Sequence, residues 1–286
     1  MRENYVRGIN DTFVKDLNGA DKNLHFFLEK VRKERKFTLE IRRGYINIYY
    51  RGGNILRITQ MKRKGYKLFF DLKYCLNKGD DSGYEPLKKA LDGSAEQYIA
   101  NLDKMMKEMD SWFKAHPKQE RAFQHDLIIN NSEFIVDVEY QTSYKTADGK
   151  TKKPRFDMIA VSGDKLMIIE NKYGIGAISG KAGLAEHYRD ICTALGDPEI
   201  RSEIDESVKN ITSAKKALGL RKTSVEKLDL SKTEILFLLV DYKPNSKTRE
   251  NEAEKMKEMG FQIPAKLLYL SSDEYKIDCN KAKDLS

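Results

Sequence analysis

Apolar positions along this chain change period several times, and each change marks an expected element. Met1 to Asn23 is polar and gives only weak signals. Leu24, Phe27, Leu28 and Val31 share one face at helical spacing, which predicts a short helix over Leu24 to Lys36. Alternation then takes over. Phe37, Leu39 and Ile41 fall on one side, and Ile46, Ile48 and Tyr50 do the same after the Arg43-Gly44 turn. Gly52-Gly53 marks another hairpin turn before Ile55 to Ile58, and Lys67 to Lys73 adds a fourth strand. Residues 37–75 therefore read as an antiparallel meander of three or four strands.

Beyond Asn77 to Tyr84, a Gly- and Asp-rich link, the period lengthens. Tyr98, Leu102, Met105, Met109, Trp112 and Phe113 form a stripe that predicts a long helix over Ser94 to Lys114. Pro117 breaks it and suits the first turn of a second helix running to about Ile129. Phe134 to Tyr140 reads as a strand. Phe156 to Ser162 and Lys165 to Asn171 read as two more, joined by Gly163-Asp164, a two-residue hairpin turn. Helices are expected over Lys181 to Leu195, Glu199 to Leu218 and Thr248 to Met259, the last ended by Gly260. Strands are expected over Glu234 to Tyr242 and Lys266 to Leu270. The order implies an α/β fold, a mixed central sheet flanked by helices, with an N-terminal antiparallel β-rich extension. The division expected is a basic module over 1–83 and a second domain over 84–286.

Composition adds partners and compartment. The 286 residues carry 52 Lys and Arg against 44 Asp and Glu, a net charge of +8. The first 83 residues hold 19 of the basic and 10 of the acidic residues, leaving 33 against 34 for the rest. A basic module beside a neutral one suits a nucleic-acid binder, because neutralising phosphates supplies much of the binding energy. Tyr45, Tyr49, Tyr50, Tyr66 and Tyr74 lie among Arg42, Arg43, Arg51, Arg57, Lys62, Arg63 and Lys64. Such interleaving can stack bases and contact phosphates, or can be ordinary sheet packing. No stretch is apolar enough for a membrane span, and Met1 to Asn10 has no signal-peptide core. The three widely spaced cysteines fit a reducing compartment, so a cytoplasmic protein is expected. They are too few for an iron–sulfur cluster of four thiolates, and the four histidines show no zinc-ligand spacing.

The hairpin carries the chemistry. With Ser162 opposite Lys165, pairing outward sets Asp157 directly opposite Glu170, with Cβ atoms about 4.5–5.5 Å apart on one face. Lys172 is two residues beyond Glu170 and shares that face. Facing like charges are destabilising. A divalent cation between them removes the conflict. Mg²⁺ binds through one or two carboxylates and keeps several waters, leaving room for phosphate oxygens. An ammonium beside it can position an attacking water or stabilise developing negative charge.

Asp157, followed by Glu170-Asn171-Lys172 at the end of the next strand, resembles the D…ExK signature of the PD-(D/E)XK nuclease superfamily, the restriction-endonuclease-like fold. The order helix, strand, acid-bearing hairpin, helix, strand resembles that superfamily's core over about residues 117–271. Phe156 stands where the family usually has Pro, with Pro154 upstream. The resemblance implies Mg²⁺- or Mn²⁺-dependent hydrolysis of nucleic-acid phosphodiesters, with DNA preferred to RNA as partner. It implies Asp157 and Glu170 as metal ligands, the main-chain carbonyl of Asn171 as a further one, and Lys172 acting on the attacking water. An acidic residue of the first core helix often reaches the metal in that superfamily, and Glu120 is the matching position.

Three further residues are expected near substrate. Lys181 lies at the start of a helix, where an anion is favoured, and His187 and Tyr188 lie on that helix. Some exonuclease branches carry Gln-x-x-x-Tyr there, whereas Leu184 stands four residues before Tyr188. The Gly-rich run after Lys172 fits neither a P-loop nor a dinucleotide-binding loop. The basic loop with Lys145, Lys150, Lys152, Lys153 and Arg155 can track a phosphate backbone or simply be solvated. The opposing reading is a catalytically inactive nucleic-acid-binding or interaction protein on the same fold. A third is a subunit whose basic face meets an acidic protein.

Overall fold

The structure is a computed structural model. It describes residues 4–62, 65–75, 84–91, 94–146, 148–174, 178–180, 183–242 and 247–285, with side chains from 87 on in the third range. The chain divides into two compact units. One comprises 7–129 and 213–222, and the other 1–6, 130–212 and 223–286. The boundary in the first half thus falls near residue 129 rather than at 83, because the helices after the meander belong with it.

The meander unit starts with α1 (Asp11–Asn18) and α2 (Asn23–Lys33). The first is a helix in a stretch expected to give little structure. Its signals are local: the Asn10 side chain accepts the Phe13 N–H as an N-cap, and Phe13 and Leu17, four apart, are fully buried. Strands β1 (Phe37–Ile41), β2 (Tyr45–Tyr50), β3 (Gly53–Gln60) and β4 (Tyr66–Phe69) then form an antiparallel sheet in sequence order. Gly44 and Gly52 have positive φ at the two turns. The last strand is shorter than expected and gives way to a 3₁₀ turn at Leu72–Cys75.

Four helices complete the unit: α3 (Tyr84–Ala90), α4 (Ala95–Ala100), α5 (Leu102–Ala115) and α6 (Gln119–Asn130). The single long helix expected over 94–114 is interrupted at Asn101, whose backbone lies outside the helical region. Most tyrosines of the basic stretch are engaged. Tyr50 donates to Asp110 and Tyr66 to Asp16, Tyr49 accepts from Arg42, and Tyr74 packs edge-on to Trp112. Packing accounts for these four.

The mixed-sheet unit is built on β5 (Ile135–Gln141), β8 (Arg155–Ser162), β9 (Lys165–Tyr173), β10 (Asp229–Val240), β11 (Ala265–Leu270) and β12 (Lys283–Asp284), in sheet order β12-β11-β10-β9-β8-β5. A small hairpin of β6 (Tyr144–Lys145) and β7 (Thr151–Lys152) lies between β5 and β8 in sequence. β5, β8 and β9 are antiparallel, while β9, β10 and β11 are parallel. Parallel neighbours need crossovers. Helices α7 (Leu184–Gly196) and α8 (Pro198–Ala217) supply the first, and α9 (Lys247–Glu258) the second. The α8 stripe of Ile200, Ile204, Val208 and Ile211 is fully buried, and Ser207 beside it meets Tyr140 on the sheet at 3.4 Å. α7 packs against α9. The strands over 156–161 and 166–169 are almost continuously buried, as their unbroken apolar runs require. β10 begins at Asp229, five residues before the expected start, and reaches its paired register through a bulge before Glu234.

Candidate active site

The Gly163-Asp164 turn, with Gly163 at φ +63°, sets the β8–β9 register expected from sequence: Ser162 with Lys165, through to Met158 with Ile169. Regular backbone pairing stops there. One step further on, the acids take over the hydrogen bonding. Asp157 Oδ2 accepts the Asn171 N–H at 2.9 Å, and the Asp157 N–H points to Glu170 Oε1 at 3.4 Å. Each strand's backbone donor is therefore met by the opposite strand's carboxylate.

Burial makes this arrangement costly. Glu170 is fully buried, Asn171 is 4% exposed and Lys172 6%. Lys172 Nζ lies 3.8 Å from Glu170 Oε2, and His187 Nδ1, from the first turn of α7, lies 2.8 Å from the same oxygen. Asp157 titrates near 7 instead of in the carboxylate range. Burial is the main cause and the Glu170 charge the second; the Asn171 N–H, Lys172 and His187 pull the other way. Two carboxylates, one fully and one partly buried, thus share one ammonium and one imidazole.

Asp157 and Glu170 are the residues here that could hold a hard divalent cation. Glu170 Oε2 is buried with no well-aligned hydrogen bond among the described residues, with His187 Nδ1 at 2.8 Å, and a cation could add a partner. No group of three or more His, Cys, Asp or Glu among the described residues is arranged to enclose a metal. A closed zinc-type site is therefore not present there, whereas Mg²⁺ or Mn²⁺ held through two carboxylates needs no such cluster.

The other expected residues fare differently. Asn171 presents its N–H to Asp157, while its side-chain amide, on the opposite face of the strand, is buried with neither polar atom hydrogen-bonded among the described residues. Glu120 is exposed in the first turn of α6, in the meander unit. Lys181 lies outside the described residues. Tyr188 is a correction. Its hydroxyl donates to the Ile263 carbonyl at 3.1 Å and accepts the Ile263 N–H at 3.2 Å, its ring packs edge-on to Phe261, and it is 1% exposed. It is a packing residue, and burial raises its phenol to about 12.

Two residues were not anticipated. Glu139 of β5 lies in the left-handed region at φ +49°, between the pairs Val138–Met158 and Tyr140–Phe156 that flank Asp157. Glu252 of α9, 2% exposed, accepts the Ala185 N–H at 3.1 Å. It caps α7 from outside, because the N-cap residue Gly183 has no side chain to do so. No local signal marks a partner 67 residues away.

The basic loop is mostly committed. Lys152 pairs with Glu186 and Asp190 of α7, Lys150 with Asp148, and Arg155 with Glu139. A cavity of about 1000 Å³ opens beside it, lined in part by Tyr5, Tyr144, Lys145, Lys153 and Glu199. None of Asp157, Glu170, Lys172 or His187 lines it. No helix among the described residues is long and apolar enough to cross a membrane.

No protein-family model matches the chain, and no curated protein matches it significantly. Among solved structures it is similar to the crystal structure of protein VC1899 from Vibrio cholerae, at 12% identity and a TM-score of 0.25. That match covers 95% of this chain and 44% of the other, so the chain spans less than half the length of that neighbour.

Proposed function

We propose that the protein is a metal-dependent nuclease of the PD-(D/E)XK type, hydrolysing phosphodiester bonds of nucleic acid, with DNA as the expected substrate. The observation that carries this reading is the facing pair of carboxylates on β8 and β9, half-buried Asp157 and fully buried Glu170, beside a buried lysine. Uncompensated charge inside a fold is expensive, and a bound cation would offset it. The order of β5, β8 and β9, then helices, then β10 parallel to β9 also agrees with the superfamily's core.

In this reading Asp157 and Glu170 hold Mg²⁺ or Mn²⁺, with the Asn171 carbonyl as a further ligand. When bound, the ion polarises a phosphoryl oxygen and acidifies water. Lys172 does the rest of the work available to the chain. Its ammonium, kept in place by Glu170, orients the attacking water and stabilises the charge that develops on the phosphate oxygens. The Asn171 N–H holds Asp157 at a fixed angle.

Cleavage of labelled single- and double-stranded DNA and RNA, with Mg²⁺, Mn²⁺ or EDTA, tests this. Metal-dependent cleavage lost in Lys172→Ala is the expected result. Salt-sensitive binding without cleavage, indifferent to Asp157→Asn, would instead identify a non-catalytic nucleic-acid-binding protein.

A further inference from the structure

His187, expected near substrate, holds its ring against Glu170. Nδ1 lies 2.8 Å from Glu170 Oε2, and the side chain is 28% exposed. Glu170 is fully buried, so this contact is made inside the fold. The contact is close in distance yet lacks the alignment of a hydrogen bond, since Oε2 has no hydrogen-bond partner among the described residues. A small rotation of the carboxylate or the ring would make one.

The placement of His187 is built rather than incidental. Its own N–H makes the first helical bond of α7, to the Gly183 carbonyl at 3.1 Å. The two N–H groups just inside the helix are met from outside, Leu184 by the Ile178 carbonyl and Ala185 by buried Glu252. On another shoulder of the helix, Glu186 and Asp190 are pinned by Lys152, and Tyr144 donates to Asp190. The start of α7 is thus fixed from two sides, and the ring it carries is aimed at one oxygen of a carboxylate.

We infer that His187 is a positioning residue for Glu170, fixing the carboxylate's orientation so that Glu170 and Asp157 receive a divalent cation together. This inference rests on the metal-site reading above. A carboxylate oxygen carries two lone pairs, so contact with His187 leaves acceptor capacity on both oxygens. Residues that orient metal ligands through their second contact affect affinity by about 10–100-fold when removed.

Direct Mn²⁺ binding by the full-length chain, cleared of metal with EDTA and followed by calorimetry, tests the inference without relying on cleavage. Wild type is expected to bind and Asp157→Asn to lose binding. His187→Ala should bind about 10–100-fold more weakly with an unchanged thermal midpoint. His187→Gln, whose amide can still donate to Glu170, should recover part of the loss. Binding by His187→Ala equal to wild type, with Asp157→Asn deficient, would overturn the role of His187 and leave the nuclease reading standing. A loss that His187→Gln does not relieve would make His187 a ligand in its own right, also against the inference. Absence of Mn²⁺ binding by wild type would remove the metal site itself, and the role with it.

Discussion

In the meander unit, Glu40 of β1 is buried against Lys215, whose Nζ donates to it at 2.9 Å. In the mixed-sheet unit, half-buried Asp157 faces fully buried Glu170, whose Oε2 lies 2.8 Å from His187 Nδ1 and 3.8 Å from Lys172 Nζ. The first cluster closes a hydrogen bond between a carboxylate and an ammonium. The second sets two carboxylates against one lysine and one histidine without a well-aligned hydrogen bond to Glu170 Oε2, and its Asp157 is pushed up to about 7. A pair kept for structure is expected to be matched, because a lone buried charge is costly. A cluster left unmatched is where a ligand of opposite charge has something to add.

The contrast breaks first at Lys172. Under the proposed function, Lys172→Ala lowers kcat by about 10²–10³-fold, the range for removing one group that stabilises developing charge. Steady-state cleavage kinetics measure it. An unchanged rate would reduce the lysine to a counter-ion and make the two clusters alike.

The structural pair should respond in stability instead. Lys215→Met strips Glu40 of its ion-pair partner and is expected to cost about 3–5 kcal/mol, read from the urea midpoint. Replacing both, with Glu40→Leu added, should return most of that loss, because two apolar side chains carry no unpaired charge. If the double variant is no better than the single one, Lys215 stabilises the fold through more than its contact with Glu40.

Next comes the pH dependence of the unmatched cluster. The native state holds the Asp157 proton up to about pH 7, whereas the unfolded chain releases it near 3.8. Between these values the native state binds more protons, so stability present below about pH 4 is lost as pH rises towards 7 and then levels off. Each pKa unit is worth about 1.4 kcal/mol. Screening by the remaining solvent contact brings the expected loss to roughly 1–3 kcal/mol. Urea midpoints in EDTA at about pH 5 and about pH 8 should show it in wild type and not in Asp157→Asn. Added Mg²⁺ should restore wild type at the higher pH.

The acid pair was legible because its geometry is local. A two-residue turn fixes a hairpin's register, and register fixes which side chains face each other. Gly163-Asp164 therefore led from the sequence to Asp157 beside Glu170. His187 and Tyr188 show where that reasoning stops. Adjacent helical residues point about 100° apart, and choosing between them requires knowing which face α9 and the sheet cover. Tyr188 met Ile263 and Phe261, leaving His187 to meet Glu170. Pro117 announces a helix but not the unit it joins, and α6 belongs with the meander. The short helix α1 had its signals in plain view, the Asn10 cap and the Phe13–Leu17 spacing, but eight residues are too few for a strong periodic pattern.

The smallest expected effect lies at Glu252, which links the two kinds of buried charge. Like Glu40 it is structural, since it caps α7 and is paired with Lys255. Like Glu170 it bears on the proposed site, since α7 carries His187. Glu252→Ala should cost about 1 kcal/mol, the ordinary value for a lost N-cap. Fraying at the helix start should also weaken Mn²⁺ binding, by less than His187→Ala does. Gly183→Ala approaches the same junction from the other side. Its added Cβ would lie 2.6 Å from Glu252 Oε2 and 2.9 Å from the Ser179 backbone, so the capping carboxylate has to move. If the two variants lower stability but leave Mn²⁺ affinity untouched, the cap serves α7 alone, and the division between matched and unmatched charge is complete.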